Sequence, residues 1–274
     1  MRSEVRKELG GNTLMTYTKS LIDGDVLLYQ VCRGCEKDAD FGDMHVLHSD
    51  FEEVRQVFQL RLQEIEEVLG VPIGVIAFSD QENWRKSVMP TYKAHRKDVR
   101  KPIAFHRLKA WASDNYPSSI QPRLEADDVL GLLQTPETII VSIDKDLATV
   151  PGWFAHIRVS HEIEVAFTTD EQARYRHMLQ GLMGDAVDGY PGCPGVGIKT
   201  AQKVLDRVVQ NPGTMEESEW LNAWNAVVYQ YEKNDRTVED AQENFMVAKI
   251  LSNSSQYDQG TVRITMPTGV TFDV

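Results

Sequence analysis

A chain of 274 residues has room for one large α/β domain, or for such a domain with a smaller helical module. At 42% hydrophobic and 26% charged, and with no apolar run near the roughly 20 residues that cross a bilayer, it has the composition of an ordinary soluble globular protein and not of a membrane-spanning one. The net charge of −12 excludes a uniformly basic nucleic-acid coat, and three cysteines are too few for a disulfide framework.

The first 18 residues carry charges around no apolar centre, which is not the pattern of a signal peptide. They read as a flexible tail, with Met15 a candidate alternative start, and the expected location is the cytoplasm, in a host cell if a phage encodes the chain. Residues 19–23 form a short apolar strand ending on Asp23. Cys32 and Cys35 then make a C-x-x-C inside an expected helix; zinc would need two more soft ligands and only Cys193 remains, so both read as reduced structural thiols. Phe51, Val54, Phe58, Leu62, Ile65 and Leu69 recur at helical spacing, with Asp50 as N-cap and Gly70 as the stop. VPIGVIAFSD is a second strand, running to Asp80.

From Gln81 to Ala110 the periodicity fades and charge takes over: nine Lys/Arg stand against Glu82 and Asp98. A surplus of seven positive charges in an acidic chain is a polyanion-binding signal, since a solvated helix face mixes both signs. A helix then starts near Glu125, ETIIVSID is a third buried strand, and HIRVS and VAFTT suggest two more. Near-continuous apolar strands alternating with helices predict an α/β fold, a mostly parallel sheet flanked by helices. Beyond residue 171 the pattern turns helical around a Pro/Gly-rich insert, GYPGCPGVGIKTA, and residues 260–274 alternate like a hairpin turning at Pro267-Thr268-Gly269. The expected divisions are a tail at 1–18, an α/β core at 19–180 with a basic arch at about 81–115, and a C-terminal helical region at 181–274.

Acidic groups end the apolar runs: Asp23 and Asp25 in SLIDGD, Asp80 in AFSD, Glu125, Asp127 and Asp128 in LEADDVL, Asp144 and Asp146 in SIDKDL. Asp185 and Asp188 follow in GDAVDG. In an open α/β sheet the functional crevice lies outside the carboxyl ends of the strands. Carboxylates gathered there raise one another's pKa and stay ionised only around cations. Hard oxygen ligands select Mg²⁺ or Mn²⁺, and two such ions side by side suit phosphodiester hydrolysis. Acidic first turns also cap helices, which accounts for one such cluster but poorly for five. The glycine-rich insert differs from a nucleotide-binding P-loop, lacking G-x-x-x-x-G-K-[ST] after a strand. Its two turns and following helix suit the backbone of duplex DNA, held without reading bases.

In this order the motifs resemble the flap endonuclease or 5′ nuclease family, from about Ser20 to Leu205: D-G, S-D, E-A-D-D, S-x-D-x-D, then G-D-x-x-D-G-x-x-G-x-x-G-x-G-x-K-T-A. The resemblance implies a PIN-like sheet with a helical arch and a helix–three-turn–helix module. It implies one divalent ion near Asp23, Asp80, Glu125, Asp127 and Asp128 and a second near Asp144, Asp146, Asp185 and Asp188, and it leaves Asp25 without a ligand role. Within the arch, Lys93 and Arg96 would stabilise the scissile phosphate and Tyr92 would stack on a base. Arg85, Lys86, Lys97, Arg100 and Lys101 would contact DNA, while Gly192, Gly195, Gly197, Lys199 and Thr200 grip the duplex, where backbone carbonyls could also hold a monovalent cation such as K⁺. The implied activity is 5′→3′ exonuclease or flap endonuclease hydrolysis by a monomer. Its substrate would be DNA with a free 5′ end, a nick or a 5′ flap, or an RNA–DNA hybrid, in replication, primer removal or recombination. Competing readings are a PIN-type ribonuclease, a structure-specific DNA-binding protein without catalysis, and a D-x-D phosphatase built on Asp23 and Asp25.

Overall fold

The computed structural model describes residues 17–42, 44–157 and 162–274, so most of the expected N-terminal tail lies outside the described residues. The frame is a six-stranded sheet in the order β5 (Ser118–Ser119), β4 (Ile73–Ala77), β1 (Lys19–Asp23), β6 (Thr138–Ser142), β7 (Gly152–Ile157), β8 (Ile163–Thr168). All neighbours are parallel except β7 and β8, which pair antiparallel. The central strands β1 and β6 are buried almost throughout, which is why their sequences read as unbroken apolar runs.

The helices form where the periodicity and caps require. In α2 (Phe51–Leu69), Asp50 accepts from the amides of Glu52 and Glu53, and the chain leaves through Gly70 in the left-handed region. Its stripe of Val54, Phe58, Leu62, Ile65 and Leu69 is buried against one face of the sheet, each side chain contributing about 1.5–3 kcal/mol. With α1 (Gly24–Gly34) and α4 (Phe105–Asn115), it makes one core layer. The other face is covered by α5 (Ala126–Leu133), α6 (Asp170–Met183), α7 (Ile198–Leu205), α8 (Trp220–Glu232) and α9 (Val238–Val247). The C-terminal strands β9 (Tyr257–Asp258), β10 (Thr261–Thr265) and β11 (Thr271–Asp273) pair as a small antiparallel sheet, with the expected turn at Pro267–Gly269. A two-stranded hairpin, β2 (Lys37–Asp40) and β3 (His45–His48), had no counterpart in the sequence reading.

The basic segment is only partly helical. It consists of the single turn α3 (Arg85–Val88), a 3₁₀ turn at Ala94–Arg96 and an exposed stretch leading into α4. No helix among the described residues is long and apolar enough to cross a membrane. Cys32, Cys35 and Cys193 are free and buried, and burial pushes the Cys32 thiol up to about 12, as expected of structural thiols.

One core group makes the fold sensitive to acid. His177 is buried on α6 with its Nε2 against the Phe245 carbonyl at 2.9 Å, and burial lowers its pKa to about 3. The folded state therefore keeps it neutral, whereas the unfolded chain takes up a proton below about pH 6.5. Stability is unaffected by this group above that pH and falls by up to about 1.4 kcal/mol per pH unit as pH drops from 6.5 towards 3. Denaturant titrations between pH 7 and pH 4.5 are expected to show a shallower decline for His177→Gln than for wild type; equal slopes would contradict this assignment.

Candidate active site

The acidic groups gather where the strands end. β1 terminates in Asp23, which is 2% exposed; its Oδ1 caps α1 by accepting from Val26 N, and its Oδ2 accepts from Ser142 Oγ at 2.6 Å at the end of neighbouring β6. The next turn of the β6 segment carries Asp144 and Asp146. The strand ends before them, and Asp144 caps a 3₁₀ turn at Lys145–Thr149, its Oδ1 accepting from Asp146 N at 2.9 Å. Glu125 and Asp127 come from the start of α5. Asp185 and Asp188 lie in a turn after α6, where Asp185 Oδ1 accepts from the amides of Val187 and Asp188.

These groups feel one another strongly. Burial pushes the Asp23 carboxyl up to about 7, and the charges of Asp25 and Asp144 add to the rise. Asp127 is pushed well above the carboxylate range by burial, with Asp23 and Asp144 adding to it. Asp146 rises to about 6 through burial and the charges of Asp144, Asp185 and Asp188. Asp144 acts on Asp23, Asp127 and Asp146 alike, and Asp185 and Asp188 act on Asp146.

The base of the basic segment closes over this nest. Lys93 Nζ lies 2.7 Å from Glu125 Oε1 and 3.4 Å from Asp188 Oδ2, and Arg96 Nη2 reaches Asp188 Oδ1 at 2.8 Å. Burial alone would raise the Glu125 pKa, but Lys93 and Arg85 outweigh it and hold the carboxyl at about 2. With these cations reaching in, no three Asp, Glu, His or Cys side chains among the described residues close around a common point as a finished ion cage. The donor set nevertheless fits hard divalent ions, because it is all oxygen and gathers several carboxylates at the ends of β1 and β6.

Several positions depart from expectation. Asp80 Oδ2 accepts from Arg123 N at 2.7 Å, which lowers its pKa and ties down the loop after β4. Asp128, expected as a ligand, is fully buried, and each oxygen already accepts two hydrogen bonds, from Arg85 Nη2 and Leu251 N on Oδ1, and from Arg85 Nη1 and Trp84 Nε1 on Oδ2. No lone pair remains for an ion. Arg85, expected to contact DNA, is only 2% exposed and cannot reach it. Tyr92, expected to stack on a base, is 2% exposed; its ring stacks on Tyr190, centroids 6.4 Å apart, and its hydroxyl donates to Glu125 Oε2 at 2.9 Å, with Asp188 Oδ2 the alternative acceptor at 3.1 Å. Asp25, given no ligand role, accepts from Ser79 N at 2.8 Å.

The remaining basic side chains face solvent. Lys86, Lys97, Arg100 and Lys101 are exposed, although Arg100 is held in a two-bond ion pair with Glu36. In the glycine-rich insert, Gly195, Gly197, Lys199 and Thr200 are exposed at the start of α7, while Gly192 is buried with its N–H donating to Asn244 Oδ1 at 2.8 Å. Asn244 itself was not singled out from sequence; one amide in a helical stretch gives no signal of a partner 52 residues away.

No family model matches the chain. It is 33% identical over 203 residues to an exodeoxyribonuclease of Enterobacteria phage T3, spanning 68% of this chain and 65% of the relative. To an exonuclease of Escherichia phage T7 it is 32% identical, with 68% and 66% covered. The chain thus spans just under two thirds of the length of these relatives. Its fold is similar to that of a phage T5 5′-exonuclease structure described with divalent metal ions (zinc), with a TM-score of 0.59 at 13% identity over 84% of this chain and 89% of that one. By these relatives and this fold, the chain is similar to the exonucleases and flap endonucleases of the 5′ nuclease type.

Proposed function

We propose that the protein is a divalent-metal-dependent 5′ nuclease that hydrolyses phosphodiester bonds in DNA bearing a free 5′ end, a nick or a 5′ flap. The observation that carries this reading is the carboxylate nest at the ends of β1 and β6, with Lys93 and Arg96 reaching into it from the basic segment. Asp23, Asp127 and Asp144 would hold one ion, and Asp146, Asp185 and Asp188 the other, with Glu125 at the edge of the nest; Mg²⁺ or Mn²⁺ fits these oxygens. When bound, such ions polarise the phosphate and activate water for in-line displacement. The protein's own residues do the rest. Lys93 and Arg96, which pair with Glu125 and Asp188 at the edge of the nest, would offset the charge that grows on the phosphoryl oxygens. Tyr92 fixes Glu125 through its hydroxyl. The exposed amides of Gly195 and Gly197, with Lys199 and Thr200, hold the duplex backbone without sequence preference. In a monomer, that grip and the arch would together favour a strand presenting its 5′ end, and an RNA–DNA hybrid would be held by the same contacts. Backbone carbonyls of the glycine turn would be the ligands of a K⁺ ion, if one binds there.

The test is a panel of 5′-labelled single-stranded, blunt, nicked and flapped substrates in Mg²⁺. Preference for flap or nicked duplex with short 5′ products supports the reading; equal cutting of single-stranded RNA would favour the ribonuclease alternative, and tight binding without cleavage the non-catalytic one. Lys93→Met is expected to lower kcat about 10²–10³-fold with duplex affinity changed less than about threefold. A loss confined to KM would remove Lys93 from the chemistry.

A further inference from the structure

Arg85 is only 2% exposed, and its side chain is fully partnered. Its guanidinium has five N–H donors, and each has an acceptor: Nε to Val247 O at 2.9 Å, Nη1 to Asp128 Oδ2 at 2.7 Å and Glu125 Oε2 at 3.1 Å, Nη2 to Asp128 Oδ1 at 2.8 Å and Lys249 O at 2.5 Å. It also lies 4.6 Å from the Trp84 ring centroid. These partners come from three separate pieces of the fold: α5 with its metal-facing Glu125, the chain at the end of α9, and α3 at the foot of the basic segment, which carries Arg85 itself. Lysine could not replace it, because three donors on one nitrogen cannot reach five acceptors in a plane.

We propose that Arg85 is a positioning residue for the metal centre, and that Asp128 serves as its fixed structural partner instead of as a metal ligand. Through one planar group, Glu125 is seated at the edge of the nest and the foot of the basic segment is locked onto α5 and α9. Buried and unable to touch substrate, Arg85 acts on catalysis only by holding Glu125 and, through it, Lys93 and Tyr92. Asp128 neutralises the guanidinium, which buried without that partner would strongly destabilise the fold. The acidic pair Asp127–Asp128 thus divides its labour, one carboxylate facing the nest and its neighbour facing the interior.

The inference rests on the nuclease reading, and Mn²⁺ binding separates the two. Mn²⁺ affinity by calorimetry, melting temperature, and kcat and KM on a flap substrate would be measured for wild type, Arg85→Lys, Asp128→Asn and the double variant, with Asp146→Asn as ligand control. Because Arg85 and Asp128 act through one tie, each single variant is expected to weaken Mn²⁺ binding by about tenfold, and the double no further. In Arg85→Lys the loss should fall on kcat with KM unchanged. A double variant weakened about a hundredfold, the product of the singles, would make Asp128 an independent ligand and overturn the proposal. So would an Arg85→Lys variant with wild-type Mn²⁺ affinity, or one whose defect lies in KM. The melting temperatures establish that the compared variants are folded. A wild type that binds no Mn²⁺ and cleaves nothing would defeat the nuclease reading itself, an outcome distinct from either.

Discussion

Asp127→Asn is expected to abolish Mg²⁺-dependent cleavage, by at least about a thousandfold, while making the metal-free protein more stable. The two effects share one cause. Burial already disfavours the ionised carboxyl, and Asp23 and Asp144 press on it from the same side, with Lys93 as the main opposing charge. Without an ion, this charge is a liability that the amide removes at nearly constant shape. With an ion, the same charge is a ligand that the amide cannot replace. Melting in EDTA should therefore rise, by about 2–4 °C for each kcal/mol of repulsion relieved, and the further rise on adding Mg²⁺ should shrink. Single-turnover cleavage and paired melting curves check both halves. Activity within tenfold of wild type, or a variant less stable than wild type in EDTA, would contradict this description of the nest.

The second large effect is expected at Gly192, whose backbone has φ +63°. A Cβ there would stand 2.3 Å from Gly184 N and 2.3 Å from Met183 C, backbone atoms at the end of α6 that cannot swing aside. Alanine would carry both the left-handed penalty of about 1–2 kcal/mol and this clash, for a total of about 3 kcal/mol or more. The damage reaches function because the contact holds the ends of one turn. Asp185 and Asp188 lie between Gly184 and Gly192, and the Gly192 amide is anchored to Asn244 on α9. Gly192→Ala should thus lower the melting temperature by several degrees and weaken both duplex binding and Mn²⁺ binding. Gly195 is the control: φ is +72°, but nothing lies within 4 Å of its Cβ position, so alanine should cost only the left-handed penalty of about 1–2 kcal/mol and leave Mn²⁺ affinity unchanged. Equal losses at the two positions would contradict the close-packed turn.

Much of this architecture could be read from the chain because the signals were local. The stripe of α2 and its caps, Asp50 and Gly70, lie within one stretch of sequence, and the strand ends at Asp23 and Asp144 declare themselves as apolar runs stopped by a carboxylate. What escaped depends on tertiary partners. The i, i+3 spacing in LEADDVL puts Asp128 with Glu125, and only an arginine 43 residues earlier reveals that Asp128 is turned inward. Arg85 looked like one more cation in a basic run, and Tyr92 like an arch aromatic, because burial against Asp128 and Tyr190 leaves no local trace. The β2–β3 hairpin was missed for the opposite reason. Nearly all its side chains are exposed, so no alternation of buried and solvated positions marks it.

The measurement that bears most directly on the central claim is the cleavage of a 5′-labelled flap duplex in a rapid-mixing, single-turnover experiment, with protein and DNA preassembled in EDTA and the reaction started by excess Mg²⁺. The carboxylate nest predicts no cleavage before mixing, release of short 5′-labelled products afterwards, and loss of that release in Asp146→Asn. Cleavage that proceeds in EDTA, or that survives in Asp146→Asn, would place the chemistry elsewhere in the protein.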